Sequence, residues 1–171
     1  MKKNLVLTGM MGVGKSTVGK NLANKLSYSF IDVDKIIEEY EGSSIDIIFK
    51  NKGENYFRTI EYKITTKELN KKGSVISLGG GAFLNKGIRR RVKNSSVSFW
   101  LDINLDLLIK RLKKAGKRPL LQGKNLIETV NKIYLERKKT YSEADHKINC
   151  KNLKPDVITK QIIKLYDGSK N

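Results

Sequence analysis

Short apolar runs alternate along the chain with segments in which apolar residues recur every three or four positions. An apolar run bounded by turn residues is typical of a buried strand, whereas the wider spacing is typical of an amphipathic helix. Five runs predict strands: Asn4–Thr8, 28–33, 74–78, 96–101 and the weaker His146–Asn149. No internal repeat with a period of about 20 to 50 residues is visible.

Helical patterns lie between these runs. Val18, Leu22 and Leu26 predict the first helix, directly after a glycine-rich turn. Asp34 is the expected N-cap of the second helix, and Gly42 follows its end. Residues 54–72 predict a third, amphipathic helix that Gly73 ends. The later helices are marked by three apolar groups: Leu105, Leu108, Ile109 and Leu112; Val130, Ile133 and Tyr134; and the residues from 157 to 165.

Strands that alternate with helices predict an α/β fold: a three-layer α/β/α arrangement around a five-stranded parallel sheet. One domain spanning residues 1–171 is expected, with a substrate-binding insertion at about 33–61 and a lid at about 115–125. Ligands of such sheets bind beyond the carboxyl ends of the strands. Thr8-Gly9, Asp32 with Asp34, and Gly79 to Gly81 all fall there, so three polar clusters should meet at one edge of the sheet.

The amino-acid composition excludes several classes of protein. The chain has 171 residues, of which 39% are hydrophobic and 30% charged, enough for one folded core. It has no run of about 18 apolar residues and no secretory signal pattern, so a cytoplasmic location without a membrane partner is expected. Cys150 is the single cysteine, which excludes an internal disulfide, and no Cys/His cluster predicts a zinc site.

The formal net charge of +18 is unevenly distributed. Residues 31–61 hold eight acidic and four basic side chains, whereas residues 86–124 hold two acidic and twelve basic ones. Such an excess suits nucleic acid, polyanionic small molecules, or a solvated surface that reflects composition alone. The pattern of charge leaves these three alternatives open.

The motif GMMGVGKST, from Gly9 to Thr17, matches G-x-x-x-x-G-K-[ST] between a predicted strand and a predicted helix. Glycines let backbone amides turn toward phosphate at a closeness that a Cβ would obstruct. Lys15 is expected to reach the β- and γ-phosphates, and the Ser16 hydroxyl is expected to bind Mg²⁺. The motif therefore predicts a phosphate-binding P-loop.

Two carboxylates follow the second strand. Asp32 and Asp34 lie two residues apart, so both should point to the same side while the strand persists. One could hold a metal-bound water while the other accepts a hydrogen bond from a substrate hydroxyl. Alternatively, Asp34 only caps its helix and Asp32 is a solvated acid. Their place at the same sheet edge as the P-loop favours the first interpretation.

Glycines 79 to 81 leave the end of the third strand without side chains. A flexible turn would explain them, but opposite a P-loop a bare backbone lets a second small molecule approach the γ-phosphate. The basic segment 117–124 lies between two helical patterns, and Gly116 and Gly123 are candidate hinges. It is either a solvated loop or a flap that brings Arg118 onto the phosphates.

Two further arginines lie in helical patterns of the sequence. Arg58 and Glu61 stand at i and i+3, which by itself favours an ion pair on a solvated helix. Arg137 follows Val130, Ile133 and Tyr134 on one helical stripe, which places its guanidinium inward. An inward arginine needs a partner, either an internal acid or the carboxylate of a ligand.

In this order and spacing, the motifs resemble those of the shikimate kinase family of P-loop kinases along nearly the whole chain. The residues that carry the resemblance are GMMGVGKST, the DVD of Asp32 to Asp34, GENYFRTIE (53–61), Gly79 to Gly81, KRPLL (117–121) and ERKKTYSEAD (136–145). The resemblance implies phosphorylation of the shikimate 3-hydroxyl by ATP, with Mg²⁺ as cofactor, by a monomer without a nucleic-acid partner.

The resemblance also implies roles for single residues. Lys15, Asp34 and Arg118 would be catalytic, and Ser16 and Asp32 would lie at the metal. The implied ATP-binding residues are Gly12, Val13, Gly14, Lys15, Ser16, Thr17, Arg111 and Arg118. The implied shikimate-binding residues are Asp34, Arg58, Gly79, Gly80, Gly81 and Arg137. Another small P-loop kinase, such as gluconate kinase, is the nearest alternative; a basic nucleic-acid-binding NTPase is the alternative from a different class.

Overall fold

The computed structural model describes residues 2–114, 125–151 and 153–168. Five strands and seven α-helices are found there. The strands are β1 (Asn4–Thr8), β2 (Ser29–Asp32), β3 (Ser74–Ser77), β4 (Ser96–Asp102) and β5 (His146–Asn149). The helices are α1 (Lys15–Leu26), α2 (Val33–Glu41), α3 (Ile45–Leu69), α4 (Lys86–Ser95), α5 (Leu105–Lys114), α6 (Leu126–Tyr141) and α7 (Pro155–Gly168), with a 3₁₀ turn at Ala82–Leu84.

The five strands form one parallel sheet in the order β2-β3-β1-β4-β5. Every residue of the central strand β1 is buried, as expected for a parallel strand covered on both faces. In register, Leu7 pairs with Ser77 and with Phe99, so the carboxyl ends of β1, β3 and β4 lie side by side. The predicted α/β fold, a five-stranded parallel sheet flanked by helices, is confirmed.

The second helix begins earlier than the sequence predicts. Asp32, not Asp34, is the N-cap of α2, and its carboxylate accepts a hydrogen bond from the backbone N–H of Lys35 at 3.4 Å. Asp34 lies in the first turn of the helix instead. The predicted end of this helix is confirmed, because Gly42 is the C-cap of α2, with a φ of 64°. The Asp34 carboxylate lies close to Gly79, just beyond the end of β3.

The third helix is longer at its start and shorter at its end than predicted. It spans Ile45–Leu69 and is broken at Gly53, whose φ of 81° and ψ of 169° are not helical. The segment before the break and the whole of α4 are helical where the sequence pattern predicted none. In the described part of the chain, no helix is both long and apolar enough to cross a membrane.

Candidate active site

The P-loop connects the end of β1 to the first turn of α1. Gly9, Gly12 and Gly14 have φ values of 135°, 77° and 104°, a region that side-chain-bearing residues avoid. A Cβ on Gly9 would lie 2.5 Å from the Leu101 carbonyl oxygen. Among the described residues, no side chain caps α1, so its first amides are open to an anion.

Lys15 is folded back over the loop. Its ammonium donates to the carbonyls of Gly9 at 2.9 Å and Met10 at 3.0 Å, and only 8% of the residue is exposed. A buried cation at the end of the sheet, beside open helix amides, creates a positive site for phosphate. Val13 and Thr17 belong to the same loop-to-helix segment, and Thr17 lines the P-loop cavity.

Ser16 and Asp32 are joined by a direct hydrogen bond. The Ser16 hydroxyl donates to Oδ2 of Asp32 at 2.6 Å, and both line the cavity beside the P-loop. A hydroxyl and a carboxylate fit a hard divalent cation whose other ligands are phosphate oxygens and water. Within the described ranges, no group of three or more His, Cys, Asp or Glu side chains forms a protein-only metal site.

Asp34 lies on the wall between two cavities. One is lined by the P-loop, including Lys15 and Ser16, and the other by Arg58, Arg137 and residues of α2 and α3. Met11, Asp34 and Gly80 line both of them. The two cavities therefore meet at a carboxylate.

The three glycines after β3 allow charged side chains to approach the backbone. A Cβ on Gly79 would lie 2.6 Å from Oδ1 of Asp34 and 2.6 Å from Oε1 of Glu61. A Cβ on Gly81 would lie 2.5 Å from a guanidinium nitrogen of Arg58. A Cβ at either position would displace one of these charged side chains, so close contact favours glycine at both.

Arg58 is held by two acids on its own helix. Its Nη1 donates to Glu61 at 2.7 Å, and its Nη2 donates to Glu54 at 3.0 Å. The sequence favoured an ion pair on a solvated helix, but Glu61 is only 2% exposed. Burial raises the pKa of the Glu61 carboxyl, and the negative charge of Asp34 adds to this, although Arg58 and Arg137 act in the opposite direction.

This raised pKa predicts a pH-dependent contribution to stability. A carboxyl whose pKa is higher in the folded than in the unfolded chain stabilises the fold at low pH and loses that contribution as pH rises. The free energy of unfolding of the wild type, relative to Glu61→Gln, is therefore expected to decrease as pH rises above 4.5, the ordinary pKa of glutamate. Urea denaturation of both proteins at several pH values measures it.

A glutamate outside the cluster supplies the control for that experiment. Glu39 is exposed on α2, and its contact with Lys35 is a 3.7 Å surface ion pair. Glu39→Gln should follow the wild type closely across the same pH range. A difference between wild type and Glu61→Gln that stays constant with pH would contradict the assigned pKa shift.

Arg137 faces the cavity from α6. The residue is 7% exposed, and its Nη1 donates to the carbonyl of Gly80 at 3.0 Å. It forms no ion pair with an acid in the described part of the chain. The buried Tyr141 hydroxyl donates to the same carbonyl. The charge of Arg137 also acts on the Glu61 carboxyl, beyond ion-pair distance. A buried guanidinium that donates to a neutral carbonyl and makes no direct ion pair among the described residues is suited to bind an incoming anion.

Two predicted residues of the nucleotide site remain, Arg111 and Arg118. Arg111 of α5 donates from Nη1 to the Val13 carbonyl at 3.1 Å, so it lies against the P-loop. Arg118 and nearly all of the predicted lid, residues 115–124, lie outside the described residues.

Sequence reasoning missed most of the wall contributed by α2 and α3. The residues it did not identify as lining the second cavity are Met11, Glu38, Ser44, Ile45, Asp46, Phe49, Phe57 and Glu61. Ile45, Ile48 and Phe49 stand at i, i+3 and i+4, which is the signal that could have revealed this helix. Phe57 is buried in the core and also lines this cavity.

The fold and the site together define a P-loop kinase, because a phosphate-binding loop opens onto a second cavity for a small acceptor. A sequence model of the family described as "Shikimate kinase" matches residues 11–167. The chain belongs to the shikimate kinase family.

Individual relatives agree with this assignment. A shikimate kinase of Sulfurihydrogenibium sp. is 44% identical over 94% of this chain and 96% of its own. The structure described as shikimate kinase from Acinetobacter baumannii in complex with shikimate has a TM-score of 0.95 at 30% identity, covering 99% and 96% of the two chains. A gluconokinase from Sinorhizobium meliloti 1021, at 17% identity and a TM-score of 0.56 over 92% and 87%, shares only the fold.

Proposed function

We propose that this chain transfers the γ-phosphate of ATP to the 3-hydroxyl of shikimate, forming shikimate 3-phosphate and ADP. The observation that carries the proposal is the position of Asp34 on the wall shared by the P-loop cavity and the arginine-lined cavity. A phosphate donor in the first cavity and a carboxylate-bearing alcohol in the second would meet at this side chain. Membership of the shikimate kinase family supports the choice of acceptor.

The nucleotide would bind at the P-loop. The open amides of α1 and the Lys15 ammonium attract the β- and γ-phosphates, and Lys15 would exchange its carbonyl contacts for phosphate oxygens. Ser16 and Asp32 would hold Mg²⁺, which when bound offsets negative charge on the phosphates. Arg111 would flank the adenine, and Arg118 would reach the phosphates from the lid.

The acceptor would be held by its carboxylate. Among the described residues Arg137 makes no direct ion pair, and Arg58 is anchored at the same cavity by Glu54 and Glu61. A carboxylate can accept parallel hydrogen bonds from guanidinium groups. A neutral sugar alcohol would leave the buried Arg137 without a carboxylate in direct contact, so the two arginines select against it. Gly79 to Gly81 would bring bare backbone close to the ring.

The chemical step is an in-line displacement at the γ-phosphorus. The acceptor oxygen forms a bond to phosphorus, and the bond to the β,γ-bridging oxygen breaks, with its electron pair leaving on ADP. Asp34 orients the hydroxyl and takes its proton as the new bond forms. Lys15 and Arg118 stabilise the charge that develops on the transferred group.

An acceptor panel tests this function. ADP release from MgATP is measured with shikimate, gluconate, a nucleoside monophosphate or no acceptor. We expect stimulation by shikimate and a background rate with the others. Stimulation by gluconate or by a nucleoside monophosphate, without stimulation by shikimate, would contradict the proposal. The monomeric state, the cytoplasmic location and the absence of nucleic-acid and membrane partners stay predictions.

A further inference from the structure

Four basic side chains of α4 face a single cavity. Lys86, Arg89, Arg90 and Lys93 stand at i, i+3, i+4 and i+7, and all four line the same cavity of about 480 Å³. The ten residues of α4, KGIRRRVKNS, include no acid. Like charges at these spacings repel one another and destabilise a helix. No acid within α4 offsets this repulsion.

The two acids that line this cavity, Glu143 and Asp145, already accept hydrogen bonds from protein groups. Glu143 accepts from Nε of Arg89 at 2.9 Å. Oδ2 of Asp145 accepts from the Ser98 amide at 2.8 Å and from the Ser98 hydroxyl at 2.7 Å. In the described part of the chain, the other three cations of the stripe form no ion pair. The cavity thus has four cations against two acids, and three of the cations are uncompensated.

Arg89 serves the fold as well as the cavity. Its Nη1 donates to the carbonyls of Phe83 and Leu84, both at 2.8 Å, which ties α4 to the 3₁₀ turn. Lys86, Arg90 and Lys93 are exposed and make no such contacts with residues 2–114, 125–151 and 153–168. These three are the side chains available to a ligand.

The cavity is separate from the site described above. Ser98 lies near the start of β4, and Asp145 directly precedes β5. The P-loop and the triple glycine follow the opposite, carboxyl ends of the strands. Except for Phe83 and Val92, its lining is charged or hydroxylic, so it does not suit an apolar ligand. Its residues overlap neither the P-loop cavity nor the arginine-lined cavity.

We propose that the cavity beside α4 binds a small multivalent anion that carries two or more linked phosphate groups. The stripe from residue 86 to residue 93 is about 10 Å long, since a helix rises about 1.5 Å per residue. Ammonium and guanidinium groups along it would each meet a phosphate oxygen, and the repulsion between them would be relieved. A compact concave site favours such a ligand over a nucleic-acid strand, which binds along an extended basic track.

Calorimetric titration with inorganic tripolyphosphate tests the proposal. Saturating ADP is present throughout, so that the P-loop is occupied. The double variant Arg90→Gln/Lys93→Gln removes two cations of the stripe. The matched control Lys160→Gln/Lys164→Gln removes two exposed charges of α7, away from the cavity. We expect one equivalent to bind to the wild type and to the control, and about tenfold weaker binding to the α4 variant.

Thermal unfolding gives an independent readout. Removing like charges from α4 should leave the Tm of the ligand-free α4 variant equal to or above that of the wild type. Tripolyphosphate should raise the Tm of the wild type in the presence of ADP, and raise that of the α4 variant less. Lys86→Gln/Lys93→Gln replaces the first variant if that protein does not fold, with the same expected results.

Three results would overturn the proposal. The first is no binding of tripolyphosphate to the ADP-saturated wild type. The second is equal affinity for the α4 variant and the α7 control, which would mean that overall charge attracts the anion. The third is tighter binding of a single-stranded oligonucleotide than of tripolyphosphate at equal salt, which would assign the stripe to nucleic acid. None of these results depends on which acceptor the active site phosphorylates.

Discussion

Asp34→Asn is expected to lower kcat for shikimate phosphorylation by about 10²- to 10⁴-fold, the usual contribution of a positioned general base. The amide is nearly isosteric, so both cavities should keep their shape, and KM for MgATP should change little. The substitution would remove the proposed acceptor of the hydroxyl proton, at the point where the two cavities meet. Steady-state kinetics with both substrates varied measure the effect.

The same helix offers a matched control. Glu39 lies on α2 one turn beyond Asp34, is well exposed and lines neither of the two active-site cavities. Glu39→Gln makes the same carboxylate-to-amide change and should leave kcat unaltered. If Asp34→Asn retained a kcat within a few-fold of the wild type while ADP release still depended on shikimate, Asp34 would not be the proton acceptor.

The sheet was predictable because burial on both faces leaves strong apolar runs. Residues such as Leu5 to Leu7 and Phe99 have no exposed surface, and their local pattern predicts their state. Helix α4 was not predictable in this way. Only Ile88 and Val92 are buried in α4. A single pair at i and i+4 among charged residues is too short a pattern to predict a helix. The break at Gly53 likewise depends on a single φ value that periodicity does not encode.

The site was partly predictable from its motifs. The P-loop, Asp34 and Arg137 are brought to two adjoining cavities, as their places at the sheet edge and on an inward helical stripe suggest. Arg58 lines one of these cavities too, but only the family resemblance implied this, because its local pattern favoured a solvated ion pair. The burial of Glu61 was missed because an i, i+3 pair has the same sequence pattern on a solvated as on a buried helix. The charges that act on Glu61 from across the cavity, those of Asp34 and Arg137, come from distant parts of the chain.

Arg58 and Arg137, which line the cavity proposed for the acceptor, have different partners within the protein. Their contributions to acceptor binding should therefore differ. The charge of Arg58 is already balanced by Glu54 and Glu61. Arg137 is buried and is bound to the neutral carbonyl of Gly80. A guanidinium that makes no direct ion pair among the described residues gains more from an incoming carboxylate than one that already makes two. The larger share of acceptor binding is therefore assigned to Arg137.

Arg137→Met is accordingly expected to raise KM for shikimate by about 100-fold, because losing a charge-assisted pair of this kind costs about 3 kcal/mol. Arg137→Lys should fall between this variant and the wild type, since an ammonium keeps the charge but not the planar fork. Lys139→Met, an exposed change on the same helix, is the matched control and should leave KM unchanged.

Arg58→Ala completes the comparison. It removes a hydrogen-bond donor but also leaves the buried Glu61 carboxylate without its cation, so KM should rise less than in Arg137→Met while stability falls more. Thermal unfolding and steady-state kinetics on the same samples distinguish the two effects. A KM for shikimate that barely changes in either arginine variant would mean that the acceptor carboxylate binds elsewhere, and the orientation proposed for the acceptor would then be wrong.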